Sequence, residues 1–115
     1  MNIPELQEGE RYAGVILNED GTLSHHLILL PKQPTERLTW NEAVVWAQVE
    51  LPTRQEQSLL FANCKGAFEP AWYWSSEQYA SNAYYAWYQF FGNGTQDYDG
   101  KGYKGRVRAV RRVHI

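Results

Sequence analysis

Apolar positions along the chain follow three successive patterns. Residues 11–17 and 23–30 form two β-prone runs, separated by Asn18-Glu19-Asp20-Gly21. Asp-Gly between such runs predicts an antiparallel hairpin, because these residues tolerate the positive φ of a tight turn. Pro31 and Pro34 then end the second strand, since proline has no amide to donate to a ladder. The period next becomes helical. Thr39-Trp40-Asn41-Glu42 is a capping box, followed by Ala43, Val44 and Ala47 at helical spacing, and it predicts a helix over 40–49. A second box, Thr53-Arg54-Gln55-Glu56, follows Leu51-Pro52 and opens a helix that ends within 63–66. From Trp72 onward the pattern is β again, with strands expected over 72–76, 84–91 and 106–113. Gly92-Asn93-Gly94 supplies a turn, and Gly100, Gly102 and Gly105 break up the following segment. The expected class is therefore α+β: two short helices packed on a twisted antiparallel sheet, in one domain spanning 1–115, with the N-terminal hairpin and the last strand close together.

Composition narrows the function. A chain of 115 residues with 43% hydrophobic and 15% aromatic residues can fill its own core. No apolar run reaches the roughly 20 residues of a membrane span, and the acidic first ten residues lack the features of a secretory signal. Cys64 is the single cysteine, which excludes an internal disulfide and predicts a buried thiol. Net charge is −2 but unevenly spread: residues 1–100 hold five Lys/Arg against thirteen Asp/Glu, and residues 101–115 hold six Lys/Arg and no acid. A basic end can mark nucleic-acid contact. Here the arginines of 106–113 sit in an expected strand, where they can pair with acids of the same molecule, so nucleic acid is not an expected partner.

Several chemistries fail on their residues. His25 and His26 fall on opposite strand faces and cannot jointly chelate a metal. Asp97 and Asp99 share a side only if their segment is extended, and their Gly and Tyr neighbours predict an exposed turn. No nucleophile, base and orienting group fall together, and no phosphate loop or dinucleotide fingerprint is present. Neither a cofactor nor a metal site is expected, and the chain reads as non-catalytic.

Leu51-Pro52-Thr53-Arg54-Gln55-Glu56, then Tyr73-Trp74-Ser75-Ser76-Glu77, Ala86-Trp87-Tyr88-Gln89-Phe90 and Arg106-Val107-Arg108-Ala109-Val110-Arg111 occur in this order. Over residues 51–113 this resembles the DUF1566 group of small phage and prophage proteins, which have a C-type-lectin-like fold. It is similar, more remotely, to formylglycine-generating sulfatase-modifying domains and to the variable proteins of diversity-generating retroelements. The resemblance implies that fold and a setting in the cytoplasm of a bacterial host or in the virion. The sugar-binding signature of C-type lectins is not reproduced: Glu69-Pro70 is followed by Ala71, and no Trp-Asn-Asp occurs. One cysteine cannot replace the paired cysteines of the formylglycine-generating enzymes.

What remains is recognition. Between Ser75 and Tyr103 the chain is crowded with Tyr, Ser, Asn, Gly and Asp, a composition that joins rigid amphipathic contact area to adaptable hydrogen bonding. Tyr79, Asn82, Tyr84, Asn93, Gln96, Asp97, Tyr98, Asp99 and Tyr103 are expected to form one exposed loop surface for a host protein or a surface glycan. A second copy of the chain is a further allowed partner. The alternative is an intracellular phage protein that inhibits or redirects a host machine by protein–protein binding. Trp74 and Trp87, which alternate with polar neighbours, are expected to be core.

Overall fold

The computed structural model describes residues 2–115, which fold into two helices and two three-stranded antiparallel sheets. Strands β1 (Arg11–Leu17) and β2 (Leu23–Leu29) form the hairpin. Asp20 accepts the Thr22 amide, and Gly21 closes the turn with φ near 85°. Helix α1 (Trp40–Ala47) runs into a 3-10 turn at Gln48–Glu50, and α2 spans Arg54–Cys64. Both capping boxes are formed. Thr39 and Thr53 each accept the amide of the third helical residue, while Glu42 and Glu56 reach back to the capping amides.

Strands β3 (Trp72–Gln78), β4 (Tyr85–Phe90) and β5 (Gln96–Gly100) make one sheet; β6 (Val110–His114) joins β1 and β2 in the other, in the order β1-β2-β6. The single expected sheet is thus two. The reason lies in residues 105–109. Arg106 forms a parallel bridge to Tyr73, taking the Trp72 carbonyl and giving its own to the Trp74 amide. The chain then leaves that sheet, and Val107, Arg108 and Ala109 are all buried without strand alternation. Only from Val110 does it pair with β2. The expected strand over 106–113 is therefore a crossover followed by a shorter strand.

Two cores result. Ala13, Leu27, Leu29, Val110, Leu60, Tyr73 and Phe91 pack between the β1-β2-β6 sheet and α2. Trp40, Ala43, Ala47, Trp74, Ala86 and Val107 pack around α1. Polar links tie the parts together. The Trp40 indole donates to the Ser75 carbonyl and the Trp74 indole to that of Leu38. Buried Gln57 donates to the carbonyls of Tyr73 and Trp74, and Gln89 returns a bond to the Gln57 carbonyl. These bonds offset most of the cost of burying the two amides, with Gln57 Oε1 alone left without a partner.

The arginines of the basic end divide. Arg111 pairs with Glu10 and Arg112 with Glu56, as their charges predict. Arg108 instead is 5% exposed and meets carbonyls: its guanidinium donates to Ala67 and Leu30 and lies over the Phe68 ring. Among the described residues no helix is long and apolar enough to cross a membrane.

Candidate functional site

The segment after Phe91 is strand where an exposed loop was expected. Its residues alternate Gln96, Tyr98, Gly100 against Asp97, Asp99, and an antiparallel partner lies alongside in β4. The register pairs Tyr85 with Gly100, Trp87 with Tyr98 and Gln89 with Gln96. Pairing turns the alternation into two faces, which separates residues that had been grouped.

One face is an aromatic cluster. The Tyr79 and Tyr98 rings stack with centroids 3.9 Å apart and planes 22° from parallel. Trp87 meets Tyr98 edge-on at 5.4 Å, and Tyr85 meets it at 5.8 Å. The Arg54 guanidinium, at the start of α2, lies 3.4 Å from the Trp87 ring centroid, and its Nε donates to Gln96. Trp87 is consequently half-buried beneath Arg54 rather than core, whereas Trp74 is fully buried. The Tyr79 hydroxyl, ahead of burial and the Asp97 charge, holds the Tyr98 phenol above its ordinary value.

The connection between β3 and β4 brings further residues to the same end of the hairpin. Asn82 accepts the Tyr84 amide through its side chain and the Tyr85 amide through its carbonyl, and the Tyr79 amide donates to the Tyr85 carbonyl. This local turn leaves Tyr84 81% exposed. Tyr103, 62% exposed, donates its amide to the Gly100 carbonyl, and its ring lies over Gly100 where a side chain of the Tyr98 face would stand. Tyr79 and Tyr98 are thus stacked with Tyr103 next along their face, and Asn82 and exposed Tyr84 lie in the adjoining β3–β4 turn.

The other expected residues lie apart. Asp97 and Asp99 share the opposite face with Ala86 and Tyr88; they are side by side because the segment is extended after all. Burial first, then these two carboxylates, raises the Tyr88 phenol. Gln96 is turned inward, its amide donating to the Arg54 carbonyl, Ser58 and Gln89. Asn93 occupies the turn at the far end, accepting the Thr95 amide. Sequence reasoning missed Arg54 and Trp87 as members of the surface, which Tyr85 also joins. The period-two run of 96–100 was the available signal, hidden by its glycine and aspartate content.

A second polar cluster has another character. Glu56 is 1% exposed and takes two bonds from Arg112, one from the His25 Nε2–H and one from the Thr53 amide. Ser24 Oγ shares a 2.9 Å hydrogen bond with His25 Nδ1, which gives the order Ser–His–Glu beside a cleft of about 590 Å³. The bidentate arginine neutralises the carboxylate that would have to support a histidine base. The cluster therefore reads as a brace between β2, β6 and α2. Cys64 is buried, and burial raises its thiol, contrary to what a nucleophile needs. Among the described residues, no three His, Cys, Asp or Glu side chains gather as a metal-binding set.

Comparison with protein-family models and with the curated proteins finds no match to the chain.

Proposed function

We propose that the chain is a non-catalytic recognition module of a phage or prophage, with a C-type-lectin-like fold of the DUF1566 kind, binding a host protein or surface glycan. The observation that carries this reading is the aromatic surface at one end of the β4–β5 hairpin: the Tyr79–Tyr98 stack beside exposed Tyr84 and Tyr103. Tyrosines leave few torsions to freeze on binding and offer both an apolar face and a hydroxyl, so they are common anchors of interfaces. Their mutual stacking pre-orders the surface, which lowers the entropic cost of binding. The pairing of the N-terminal hairpin with the last strand supports the lectin-like arrangement, in which the chain ends meet.

The test is an affinity capture from host lysate and from envelope fractions, with Tyr84→Ala/Tyr103→Ala protein as control. A glycan or envelope protein retained by the wild type and lost from the variant supports surface recognition. A cytoplasmic enzyme or polymerase retained in the same way supports the inhibitor alternative. Equal capture by both proteins would remove the tyrosine surface from consideration.

A further inference from the structure

The arginines of 106–113 were expected to be able to pair with acids of the same molecule, and Arg106 does not. The ion pairs of the basic end involve Arg111 and Arg112, and among the described residues no carboxylate lies within 4 Å of Arg106 or of Arg37. Arg106 Nε is buried without a hydrogen bond, as is Arg108 Nε, but Arg108 spends the rest of its guanidinium on the carbonyls of Ala67 and Leu30, whereas that of Arg106 borders open space. Both arginines line two cavities, one of about 240 Å³ and one of about 220 Å³. The first is polar and adds Gln33 and Thr35, with Glu36 also at its border. The second is walled by Trp72 and Phe90. Gly105 maintains that wall: a Cβ there would stand 2.5 Å from Trp72 Cζ3.

We infer that the paired cavities form a binding site for a small oxyanion carried on an apolar or aromatic body. The two guanidiniums match the planar geometry of a carboxylate or phosphate, and arginine is the side chain suited to such bidentate recognition. An oxyanion lodged between Arg37 and Arg106 would accept from the guanidinium N–H groups that border the cavities. Its apolar body would rest against Trp72 and Phe90, where a fully hydrated ion gains nothing. Glu36 at the border opposes a polyphosphate or polycarboxylate and favours a ligand with a single carboxylate or phosphate group. The site lies outside the tyrosine surface and does not depend on it.

The experiment is a titration of the full chain with phenyl phosphate, phenylacetate and the neutral phenylacetamide, followed by ¹H–¹⁵N NMR at the Trp72 indole and the Arg106 amide. Saturable shifts are expected with the oxyanions, weakened by added salt, and absent with phenylacetamide. A response to one oxyanion alone assigns the ligand as a phosphate or as a carboxylate. Arg37 is exposed, so Arg37→Gln should leave the spectrum folded and weaken binding about tenfold or more, the effect of losing one charge-assisted contact. Arg106→Gln should remove it. No saturable shift with either oxyanion, equal shifts with phenylacetamide, or unchanged affinity in Arg37→Gln would overturn the proposal.

Discussion

A carboxylate sealed from water is tolerated only when its charge is shared, and Glu56 shares its charge with Arg112, His25 and the Thr53 amide. Burial alone would raise its pKa; the arginine bonds, the capping amide and His25 outweigh burial and hold it below the ordinary carboxylate value. A lowered folded-state pKa means the stabilisation is complete above the unfolded value, about 4.3, and is lost as pH falls through the lower folded one. Acid unfolding followed by circular dichroism should show this limb below about pH 4, and Glu56→Gln should flatten it. Glu56→Ala, which leaves Arg112 half-buried and unpaired, should cost about 3–5 kcal/mol in denaturant unfolding. The two tryptophans of the motif should separate in the same assay. Trp74→Ala empties a fully buried site and should cost about 3–5 kcal/mol, while half-buried Trp87→Ala should cost nearer 1–2 kcal/mol.

Helices of eight and eleven residues are too short to persist alone, so their ends matter more than their propensities. Thr39→Ala and Thr53→Ala each remove one side-chain acceptor and should cost about 1 kcal/mol in thermal or denaturant unfolding. The loss at Thr53 should be the larger, because its box partner Glu56 is also the brace to Arg112 and His25. Gly105→Ala tests the crossover. The added methyl meets the Trp72 ring rather than a flexible chain end, and overpacking of this kind should cost about 1–3 kcal/mol. A neutral result would show that Trp72 can swing aside, and with it the wall of the cavity it borders.

At the scale of the whole molecule, the tyrosine surface combines residues that carry stability with residues that do not. Tyr84 and Tyr103 are mostly exposed, so Tyr84→Ala and Tyr103→Ala should weaken partner binding while leaving the melting temperature nearly unchanged. Tyr98 is 38% exposed, stacked on Tyr79 and edge-on to Trp87, so Tyr98→Ala should lower both affinity and melting temperature. Paired measurements of affinity and melting on the three variants check this. Lost stability with intact binding in Tyr84→Ala would place the interface elsewhere.

The sequence by itself determined what depends on near neighbours. The Asp-Gly turn and both capping boxes involve groups within a few residues of one another, so residue order sufficed to place the first hairpin and the two helix starts. Strand pairing decided the rest. Nothing local to Gln96-Asp97-Tyr98-Asp99-Gly100 distinguishes a loop from an edge strand; β4 alongside it does, and pairing then sends Tyr98 and the two aspartates to opposite faces. The single expected sheet became two because Arg106 meets Tyr73 while Val110 meets β2, contacts between residues far apart in the chain. Burial followed the same logic. Trp74 and Trp87 look alike in sequence, and only the position of Arg54 over one and of α1 near the other separates a surface ring from a core one. Charge was legible for Arg111 and Arg112 and not for Arg106 and Arg108. Opposite charges attract across any sequence distance, but the crossover decides which arginines an acid can reach.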